Sequence, residues 1–532
     1  MIKEAIPAKC DAVVIGSGGA GLVAALRLKR LKKDWSVWLI EQSDLLGGST
    51  SYSGGVCWLP GHQFMNNPER DAEKARIYLK NAFPQIHEPS LDGFLTDSPR
   101  ALEFMLSSGL KMEAISDYPD YYMEIQGSGY GHSVSPDTYT GPKRVRKLIR
   151  QVPHFFPPFS VREAMDWGPH RILNWDKTLL AKRKMLGHQT MGRAFIGFLV
   201  EACLNAGVHI ALNCKTEGLL IQNGQVQGAV INGKKTDAPI IVIACGGFSH
   251  NPELTNRLAA VRPFLSVAPE ACDTGGGLQL ALEAGLKIGN PYCWWVPIMK
   301  IYDENDSKPG PDLWAYHPML YDRAWPGGIM VNSDGKRFTN ESACYNSVGG
   351  ILALDEDPML NRVWLIWGNY YVKHYIRGVT SPFQPAKSYM NKSKGIEELA
   401  GKIGVPAENL KATLEHWNEM AVRERDDDFH RGESPYDRYM GDRFREAHPN
   451  IERVEPPFQA VRVYPGCLGT KMGPITDEFG RVQLENGGTV SGLYAAGNAA
   501  AAFLGNIYPG AGGTLGQGVV FGYRSANHAA GL

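Results

Sequence analysis

The first hydrophobic pattern along the chain is a short apolar run that ends in glycines. Residues 11–15 (DAVVI) have the length and the β-branched character of a buried strand. After the glycines, residues 22–30 carry apolar side chains at helical spacing, and a second apolar run follows at residues 36–40 (SVWLI). The order strand, glycine-rich turn, helix and strand predicts a βαβ unit in a parallel sheet.

Further apolar runs predict more elements of the same kind. Two Asn-Gly pairs, Asn223-Gly224 and Asn232-Gly233, separate or end alternating apolar runs and predict hairpin turns. The remaining predicted elements are a helix over 187–207, strands over 208–212, 218–222, 226–231, 240–244 and 493–498, and a helix over 513–530.

The glycines after the first strand follow the G-x-G-x-x-G pattern of a dinucleotide-binding turn. Gly16 permits the tight turn, Gly18 lets the backbone approach a pyrophosphate, and Gly21 lets the helix pack closely on the strand. Glu41 ends the second strand, 25 residues after Gly16, at the spacing of an acid that binds an unphosphorylated ribose. The pattern therefore predicts FAD or NAD rather than NADP, with a purely structural turn as the alternative. The predicted cofactor residues are Gly16, Gly18, Gly19, Ala20, Gly21 and Glu41.

A second glycine-rich stretch comes soon after Glu41. Residues 46–60 (LGGSTSYSGGVCWLP) hold two Gly-Gly pairs around small hydroxyl residues. Such a stretch can lay backbone N–H groups along a diphosphate and a flavin ring, and the alternative is a solvated loop. The residues predicted to bind the cofactor here are Gly48, Ser49, Thr50, Ser53, Gly54 and Gly55.

Small residues also follow the predicted strands at 240–244 and 493–498. The helix predicted over 513–530 could direct its positive N-terminus at a flavin pyrimidine ring. Both ends of the chain are therefore expected to build one nucleotide-binding domain, with the middle inserted. The predicted cofactor residues of this part are Ala244, Gly246, Gly247, Gly497, Asn498, Gly513, Thr514 and Leu515.

Composition narrows the class of protein. The 532 residues suffice for several domains, and we expect them to divide at 1–285, 286–449 and 450–532. With 43% hydrophobic residues, 21% charged residues and zero net charge, the chain is neither disordered nor suited to nucleic acid. Nine cysteines without a C-x-x-C pair predict no metal site and a reducing compartment. The sequence shows no signal peptide or membrane-spanning run, which predicts a cytoplasmic protein.

Two stretches of the middle segment stand out. Arg423–His448 is dense in charge and is predicted to be a solvated surface excursion. An aromatic-rich stretch could either line a pocket for a flat apolar ligand or form an ordinary core. Its aromatic residues are Trp294, Trp295, Tyr302, Trp314, Tyr316, Tyr321 and Trp325.

Taken together, the motifs GSGGAG, GGSTSYSGG, ACGG and YAAGN resemble flavoproteins of the fumarate reductase/succinate dehydrogenase superfamily. Within it, YPGAGGT and VYPGCLGTKMGP most resemble 3-ketosteroid Δ1-dehydrogenases. The resemblance implies an α/β fold: a Rossmann-like FAD-binding domain built from both chain ends, with an inserted α+β substrate domain. It also implies non-covalent FAD. Members that attach the flavin covalently use a histidine near the Gly-Gly-Ser stretch, whereas this stretch has Ser49 and Thr50 and no histidine.

The same resemblance implies the chemistry. It predicts FAD-dependent desaturation of a 3-ketosteroid at C1–C2, with a proton passing from C2 to a tyrosine base and a hydride from C1 to flavin N5. The electron acceptor is left unidentified. A steroid substrate suggests loose membrane association, although no amphipathic anchor is evident in the sequence.

The catalytic residues follow from matching family motifs. Tyr508 and the Gly512 N–H would bind the C3 carbonyl, Tyr345 would be the base, and Tyr121 would support the base. Tyr118 and Tyr122 are adjacent candidates for the supporting role. The departures from the family pattern are Ala511, where proline is common, Cys467, where an acid is common, and Cys57.

Three alternatives remain open at this point. A 3-ketosteroid Δ4-(5α)-dehydrogenase would use the same cofactor at C4 and C5. A fumarate- or urocanate-type reductase would need cations to clamp carboxylates, and the tail GNIYPGAGGTLGQG contains no arginine or histidine. A non-enzymatic dinucleotide-fold binding module is disfavoured by glycine-rich phosphate motifs at both ends.

Overall fold

The computed structural model describes residues 2–3, 6–151, 157–259, 264–302, 315–354, 362–382, 384–445 and 447–532, so Trp314 lies outside the described residues. The strands are β1 Ile2–Lys3, β2 Ala12–Ile15, β3 Val37–Ile40, β4 Cys57–Trp58, β5 Met112–Ala114, β6 Ser133–Pro136, β7 His209–Ala211, β8 Thr216–Gln222, β9 Gln225–Ile231, β10 Lys234–Asp237, β11 Ile240–Ile243, β12 Ile288–Gly289, β13 Cys293–Lys300, β14 Tyr316–Pro318, β15 Gly328–Val331, β16 Val363–Trp367, β17 Asn391–Ser393, β18 Phe458–Thr470, β19 Gly473–Pro474, β20 Arg481–Gln483 and β21 Thr489–Ala495.

The α-helices are α1 Gly19–Leu31, α2 Pro68–Ala82, α3 Glu88–Ser107, α4 Lys143–Arg146, α5 Val161–Trp167, α6 Lys177–Leu186, α7 Met191–Ala206, α8 Pro252–Leu258, α9 Gly276–Glu283, α10 Tyr345–Leu354, α11 Asn369–His374, α12 Ile396–Ile403, α13 Ala407–Val422, α14 Pro435–Met440 and α15 Gly513–Ala529. Single 3-10 turns cover Gly48–Tyr52, Ile172–Asn174 and Gly497–Ala499.

The largest sheet has ten strands, and its core is parallel. The strand order is β1-β7-β3-β2-β11-β21-β9-β10, with β20 beside β21 and β8 beside β9. Strands β2 and β3 are buried along their whole length, as expected for strands covered by helices on both faces. The hairpins β8-β9 and β9-β10 turn at the two Asn-Gly pairs, whose residues all have positive φ.

The two ends of the chain meet in this sheet. Val242 of β11 pairs with Val14 of β2 on one side and with Tyr494 of β21 on the other. Helix α15 packs directly on α1, because a Cβ at Gly522 would lie 2.5 Å from the Ala20 carbonyl oxygen. The predicted Rossmann-like domain built from both ends is therefore confirmed.

A second, antiparallel sheet of six strands holds much of the middle segment. Its order is β14-β13-β18-β16-β15, with β17 also paired to β18. The predicted division of the chain at residues 285 and 449 stays a prediction. Strand β18 follows the second of these positions and pairs with β13 and β16. A small sheet, β4-β6-β5, lies next to the start of α15, because Trp58 donates its backbone N–H to the Gly512 carbonyl at 3.1 Å.

The prediction that Arg423–His448 is a solvated excursion is wrong for several of its charged residues, whereas others, such as Arg425 and Glu433, are exposed. Asp426, Arg431 and Asp437 are each 1% exposed. Their charges are buried with partners from elsewhere in the chain, and Asp426 accepts from Arg337 at 2.8 Å. Charged side chains leave water when such partners replace it, so charge density alone does not mark a surface.

None of the described helices combines the length and the apolar character that crossing a bilayer requires.

Candidate active site

One large cavity, of about 600 Å³, runs from the carboxyl ends of the parallel strands to the middle segment. The turn after β2 and Glu41 after β3 line one part of it, and Tyr121, Tyr345 and Tyr508 line another. This is the edge at which ligands of open parallel sheets bind.

The turn after β2 is held open by its first glycine. Gly16 has φ +104°, and a Cβ there would lie 2.5 Å from the Cys245 Cα. A Cβ on Gly21 would lie 2.1 Å from the Gly16 carbonyl oxygen, which explains the close packing of α1 on the turn. Gly18 instead has only the Thr50 hydroxyl near its Cβ position, at 3.6 Å, so its exposed side faces the cavity.

Glu41 is fixed at the cavity wall by four donors. Its Oε2 accepts from the Ser17 backbone N–H at 3.2 Å and from the Ser17 hydroxyl at 2.6 Å. Its Oε1 accepts from the Ser43 backbone N–H at 3.0 Å and from the Ser43 hydroxyl at 3.2 Å. A carboxylate oriented in this way can accept from a ribose hydroxyl without moving.

Two helices begin at the cavity after a glycine, which has no side chain to cap the helix, although the Gly19 N–H of α1 donates to the Thr50 hydroxyl at 3.2 Å. Gly18 precedes α1 and Gly512 precedes α15, and neither supplies a capping oxygen. The first backbone N–H groups of a helix need acceptors, and the positive end of its dipole favours negative charge. The buried Ser51 hydroxyl on the same wall also has no partner among the described residues. These donors fit the diphosphate and the pyrimidine ring of FAD.

Most residues predicted to hold the cofactor line this cavity. Those residues are Gly16, Gly18, Gly19, Ala20, Glu41, Gly48, Ser49, Thr50, Ser53, Gly54, Gly55, Ala244, Gly246, Gly497, Asn498, Thr514 and Leu515. Three others lie behind the wall and serve packing. Gly21 packs against Gly16, Gly247 packs against the Thr470 hydroxyl, and Gly513 lies under the Tyr508 ring.

Three tyrosines from distant parts of the chain meet at the other part of the cavity. The hydroxyls of Tyr121 and Tyr345 lie 2.7 Å apart and share a hydrogen bond. The Tyr508 ring packs on both, with centroid distances of 5.3 Å to Tyr121 and 5.5 Å to Tyr345. All three side chains are buried and line the cavity.

Burial makes these phenols weak acids. Burial and the neighbouring Tyr508 raise the pKa of Tyr345 well above 10, and the hydrogen bond with Tyr121 acts in the opposite direction. The pKa of Tyr508 is also raised by burial, and hydrogen bonding by Thr514 and Tyr345 opposes that increase. Tyr121 is thus the neighbour that favours the phenolate of Tyr345.

The three candidates for the supporting tyrosine have different contacts. The Tyr118 hydroxyl lies 3.7 Å from the Met440 sulfur. The Tyr122 hydroxyl accepts from the Tyr508 backbone N–H at 3.4 Å and from the Asn346 side-chain amide at 3.3 Å. Among the three, Tyr121 bonds to Tyr345, whereas Tyr122 fixes the backbone that carries Tyr508.

Gly512 adjoins Tyr508 at the cavity. It has φ +92°, and a Cβ there would lie 2.4 Å from the Val56 carbonyl oxygen, so only glycine fits. Its carbonyl accepts from the backbone N–H groups of Trp58 and Gly516. Its own N–H has no hydrogen-bond acceptor within the part of the chain that the structure describes. Gly512 itself lies at the cavity wall.

A buried ion network anchors the segment before Tyr345. Glu341 accepts from Arg337 at 2.8 Å and from Arg431 at 3.3 Å. Burial alone would raise the pKa of Glu341, but the Arg337 charge holds it below its ordinary value. Arg431 also donates to the Gly328 carbonyl at 2.7 Å, so this network ties α10, which begins at Tyr345, to the six-stranded sheet.

A second buried network supports Tyr121. His132 Nδ1 lies 2.8 Å from Asp120, and its Nε2 lies 3.1 Å from Asp71. Burial alone would lower the pKa of His132, but the two carboxylates raise it to about 10. Tyr121 follows Asp120 in the chain and donates its backbone N–H to the Pro509 carbonyl at 2.9 Å.

Sequence reasoning named some of the remaining cavity residues as candidates and missed Arg193. Tyr321 and Trp325 of the aromatic-rich stretch line the cavity, whereas Trp294 and Trp295 are buried in the core, so both interpretations of that stretch hold in part. Arg193 also lines the cavity, and no ion pair of its guanidinium is found among the described residues. No motif marked it, because it lies on α7 within an ordinary helical pattern.

Comparisons with known proteins agree with this geometry. A family model described as an FAD binding domain matches residues 11–515. A 3-oxosteroid 1-dehydrogenase of Mycobacterium tuberculosis is 34% identical, over 98% of this chain and 98% of its own length. The crystal structure of 3-ketosteroid Δ1-dehydrogenase from Sterolibacterium denitrificans, in complex with 1,4-androstadiene-3,17-dione, superposes with a TM-score of 0.88 at 28% identity. That match covers 98% of this chain and 100% of the other.

The chain belongs to the 3-ketosteroid Δ1-dehydrogenase family. As a member of this family it is an FAD-dependent oxidoreductase, which confirms the predicted cofactor and enzyme class. Another similar protein of known activity is the 4-oxocyclohexanecarboxylate 2-dehydrogenase of Sinomonas cyclohexanicum. It is 33% identical, over 98% of this chain and 93% of its own length. In sequence identity, this member of the 3-ketosteroid Δ1-dehydrogenase family is therefore nearly as similar to a single-ring ketone enzyme as to a steroid enzyme.

Proposed function

We propose that the protein removes hydrogen from C1 and C2 of a 3-ketosteroid and so forms a double bond conjugated to the ketone. The observation that carries this proposal is the hydrogen-bonded Tyr121–Tyr345 pair beside Tyr508 and Gly512, all at one cavity wall. These groups are the ones that proton removal next to a carbonyl requires: a base and donors for the developing oxyanion.

In this proposal the C3 oxygen of the substrate accepts hydrogen bonds from the Tyr508 hydroxyl and the Gly512 N–H. Gly512 supports that role because its N–H has no acceptor within the described residues. Negative charge that develops on C3 oxygen as C2 loses its proton is then stabilised by donors already in place.

The phenolate of Tyr345 takes the C2 proton, and the Tyr121 hydroxyl donates to that phenolate before the transfer. Tyr345 emerges as a neutral phenol. Bound FAD supplies the acceptor for the hydride that leaves C1. Two electrons and two hydrogens leave the substrate, one as a proton and one as a hydride.

Product analysis with two variants tests the proposal. Purified holoenzyme is given androst-4-ene-3,17-dione and a dye acceptor, and the product is identified by mass and NMR. Tyr345→Phe and Tyr508→Phe should each lower kcat by about 10²–10³-fold without loss of bound FAD. Wild-type rates in both variants would refute the assigned roles. A parallel reaction uses a 3-ketosteroid whose ring A is saturated, and formation of a C4–C5 double bond in it would indicate the Δ4-(5α) activity instead.

A single-ring ketone that carries a carboxylate is the second candidate substrate. It is favoured by the similarity to 4-oxocyclohexanecarboxylate 2-dehydrogenase and by Arg193, a cation on the cavity wall without an ion pair among the described residues. The same desaturation would serve both substrates. Comparison of kcat/KM for the steroid and for 4-oxocyclohexanecarboxylate decides between them, and Arg193→Met should impair only the carboxylate substrate if Arg193 binds it.

We further propose that the protein works in the cytoplasm with an electron acceptor still to be identified. All nine cysteines are unpaired thiols, which suits a reducing compartment.

A further inference from the structure

A surface rich in cations lies on two neighbouring helices, α4 and α6. Arg146 of α4 donates to the carbonyls of Leu186 and Gly187 at the end of α6, at 2.6 and 2.5 Å, and so joins the two helices. The stretches 143–147 (KRVRK) and 177–187 (KTLLAKRKMLG) contain no acidic residue. We call these two stretches, together with Leu173, the basic face.

Most cations of the basic face are free of acidic partners. Arg183 pairs with Glu163, but the others make no ion pair with any described residue. The cations without such a pair are Lys143, Arg144, Arg146, Lys147, Lys177, Lys182 and Lys184. Because the chain as a whole has zero net charge, this concentration of positive charge is local.

Large apolar side chains are exposed on α6 and in the turn that precedes it. Met185 is 79% exposed, Leu173 is 72% exposed and Leu186 is 43% exposed. Lys182, Met185 and Leu186 are spaced i, i+3 and i+4 on α6, so they share one side of the helix. Exposed apolar side chains beside lysines are typical of helices that lie at a lipid–water interface.

The basic face adjoins residues that line the cavity. Ile172 and Trp175 line the cavity and are half-buried, and Leu173 lies between them in the chain. Thr190 and Met191, which follow the end of α6, also line the cavity. A surface bound at the basic face would therefore lie close to residues that line the cavity.

We propose that the basic face docks the protein on the surface of an anionic phospholipid bilayer. The seven cations match the charge of the lipid headgroups, and Leu173, Met185 and Leu186 can insert among them, which a polyanion such as nucleic acid would not require. The benefit of such docking, direct uptake of an apolar ketone from the bilayer, rests on the proposed function. Adsorption of the protein to lipid is independent of the proposed function.

Vesicle binding by the holoenzyme tests the proposal. Wild-type protein should sediment with vesicles of two parts phosphatidylcholine and one part phosphatidylglycerol, weakly with pure phosphatidylcholine, and less at high salt. Each cation near such a surface strengthens partitioning about fivefold, so Lys182→Gln with Lys184→Gln should weaken it about 20- to 30-fold. Met185→Ser with Leu186→Ser should weaken it about tenfold.

Matched variants control for surface changes in general. Lys234→Gln with Lys235→Gln removes two exposed lysines from β10, and Val422→Ser removes an apolar side chain that is 68% exposed. Neither should change vesicle binding. Activity on dispersed ketone should stay at the wild-type level in every variant, so failure of the docking proposal is distinguishable from failure of the proposed function.

Three results would overturn the proposal. The first is wild-type protein that does not sediment with anionic vesicles. The second is equal weakening by the control pair on β10. The third is a change of oligomeric state. If light scattering shows that the wild type is an oligomer, and the Met185→Ser and Leu186→Ser pair converts it to a monomer without any loss of vesicle binding, the apolar residues join copies of the chain instead.

Discussion

The hydroxyl oxygens of Tyr121 and Tyr345 lie 2.7 Å apart, although 224 residues separate them in the chain. Both phenols are buried at the cavity wall, and burial raises the pKa of each well above 10. Only one of two hydrogen-bonded phenols can ionise readily, because the other then donates to its oxygen. The pair therefore gives Tyr345 a donor that favours its phenolate.

Replacement of Tyr121 by phenylalanine should make Tyr345 a poorer base. Without the donated hydrogen bond the pKa of Tyr345 rises further, so the increase of kcat/KM with pH should move to higher pH. At neutral pH we expect kcat to fall about 10- to 100-fold, with partial recovery in alkaline buffer. Steady-state rates across pH measure this effect.

Tyr118→Phe is the matched control for that experiment. The Tyr118 hydroxyl contacts the Met440 sulfur and makes no hydrogen bond to Tyr345 within the described residues, so its removal should leave the pH profile unchanged. Equal profile shifts in Tyr118→Phe and Tyr121→Phe would show that the 2.7 Å hydrogen bond is not the cause.

The stability of the protein should depend on pH through His132. Its pKa is raised from 6.5 to about 10 by Asp120 and Asp71, so the folded protein binds this proton more tightly than the unfolded chain does. The resulting stabilisation is complete below about pH 6.5 and is lost as the pH rises through about 10. His132→Gln should therefore destabilise the protein by about 3 kcal/mol near pH 6 and by much less near pH 10.

Urea unfolding of the wild type and of His132→Gln at several pH values checks this prediction. His416 is 54% exposed and supplies the control, because His416→Gln should change stability little at any pH. A destabilisation by His132→Gln that stayed constant from pH 6 to pH 10 would mean that lost packing, rather than the raised pKa, explains it.

The buried network at Arg431 should also be needed for stability. Arg431→Met leaves the Glu341 carboxylate with one fewer cation and frees the Gly328 carbonyl from its donor. Removal of one member of a buried ion network typically costs about 3–5 kcal/mol. Arg425→Met, in the same segment but 63% exposed at its side chain, should cost under about 1 kcal/mol. Unfolding free energies that are equal in the two variants would contradict the role of the network.

The same segment shows where sequence reasoning fails. Short-range signals place elements well: the strand predicted over 240–244 is Ile240–Ile243, and the glycines after β2 form the expected turn. The partners of Asp426 and Arg431, however, are Arg337 and Glu341, about 90 residues earlier in the chain. No local pattern distinguishes a charge that is neutralised by a distant partner from one that is solvated.

The candidate site divides in a similar way. Residues whose role depends on backbone shape, such as Gly16 and Gly512, are marked by the glycine itself. The choice of Tyr121 over its two neighbouring tyrosines depends on which ring faces Tyr345, and consecutive residues of an irregular segment carry no period from which that direction could be read. The basic face was missed for a related reason, since its apolar and basic residues come from segments that only the fold brings together.

Lys471 is the clearest example of a residue whose role depends on partners that only the fold brings together. It is fully buried, and its Nζ donates to the carbonyls of Gly505 and Ile507 at 2.9 Å each. Burial lowers the pKa of Lys471 well below its ordinary value, and its Nζ also lies 3.8 Å from the centroid of the Trp294 ring. The Tyr508 ring also packs on Trp294, at a centroid distance of 4.7 Å. Lys471 therefore holds both the backbone before Tyr508 and the ring beside it.

Lys471→Met should impair catalysis by releasing Tyr508 from its position. It leaves the Ile507 carbonyl without a donor, at a cost of about 1–3 kcal/mol, and it leaves the Gly505 carbonyl with only the 3.4 Å bond from the Asn290 side-chain amide. We expect kcat to fall about tenfold or more while KM changes less. Lys471→Gln keeps one donor and should recover part of kcat. Measurement of kcat, KM and unfolding free energy for both variants separates the two effects. A loss of stability with unchanged kcat would mean that Lys471 serves the fold alone, whereas a graded loss of kcat from Gln to Met would show that the position of Tyr508 depends on the hydrogen bonds of the Lys471 side chain.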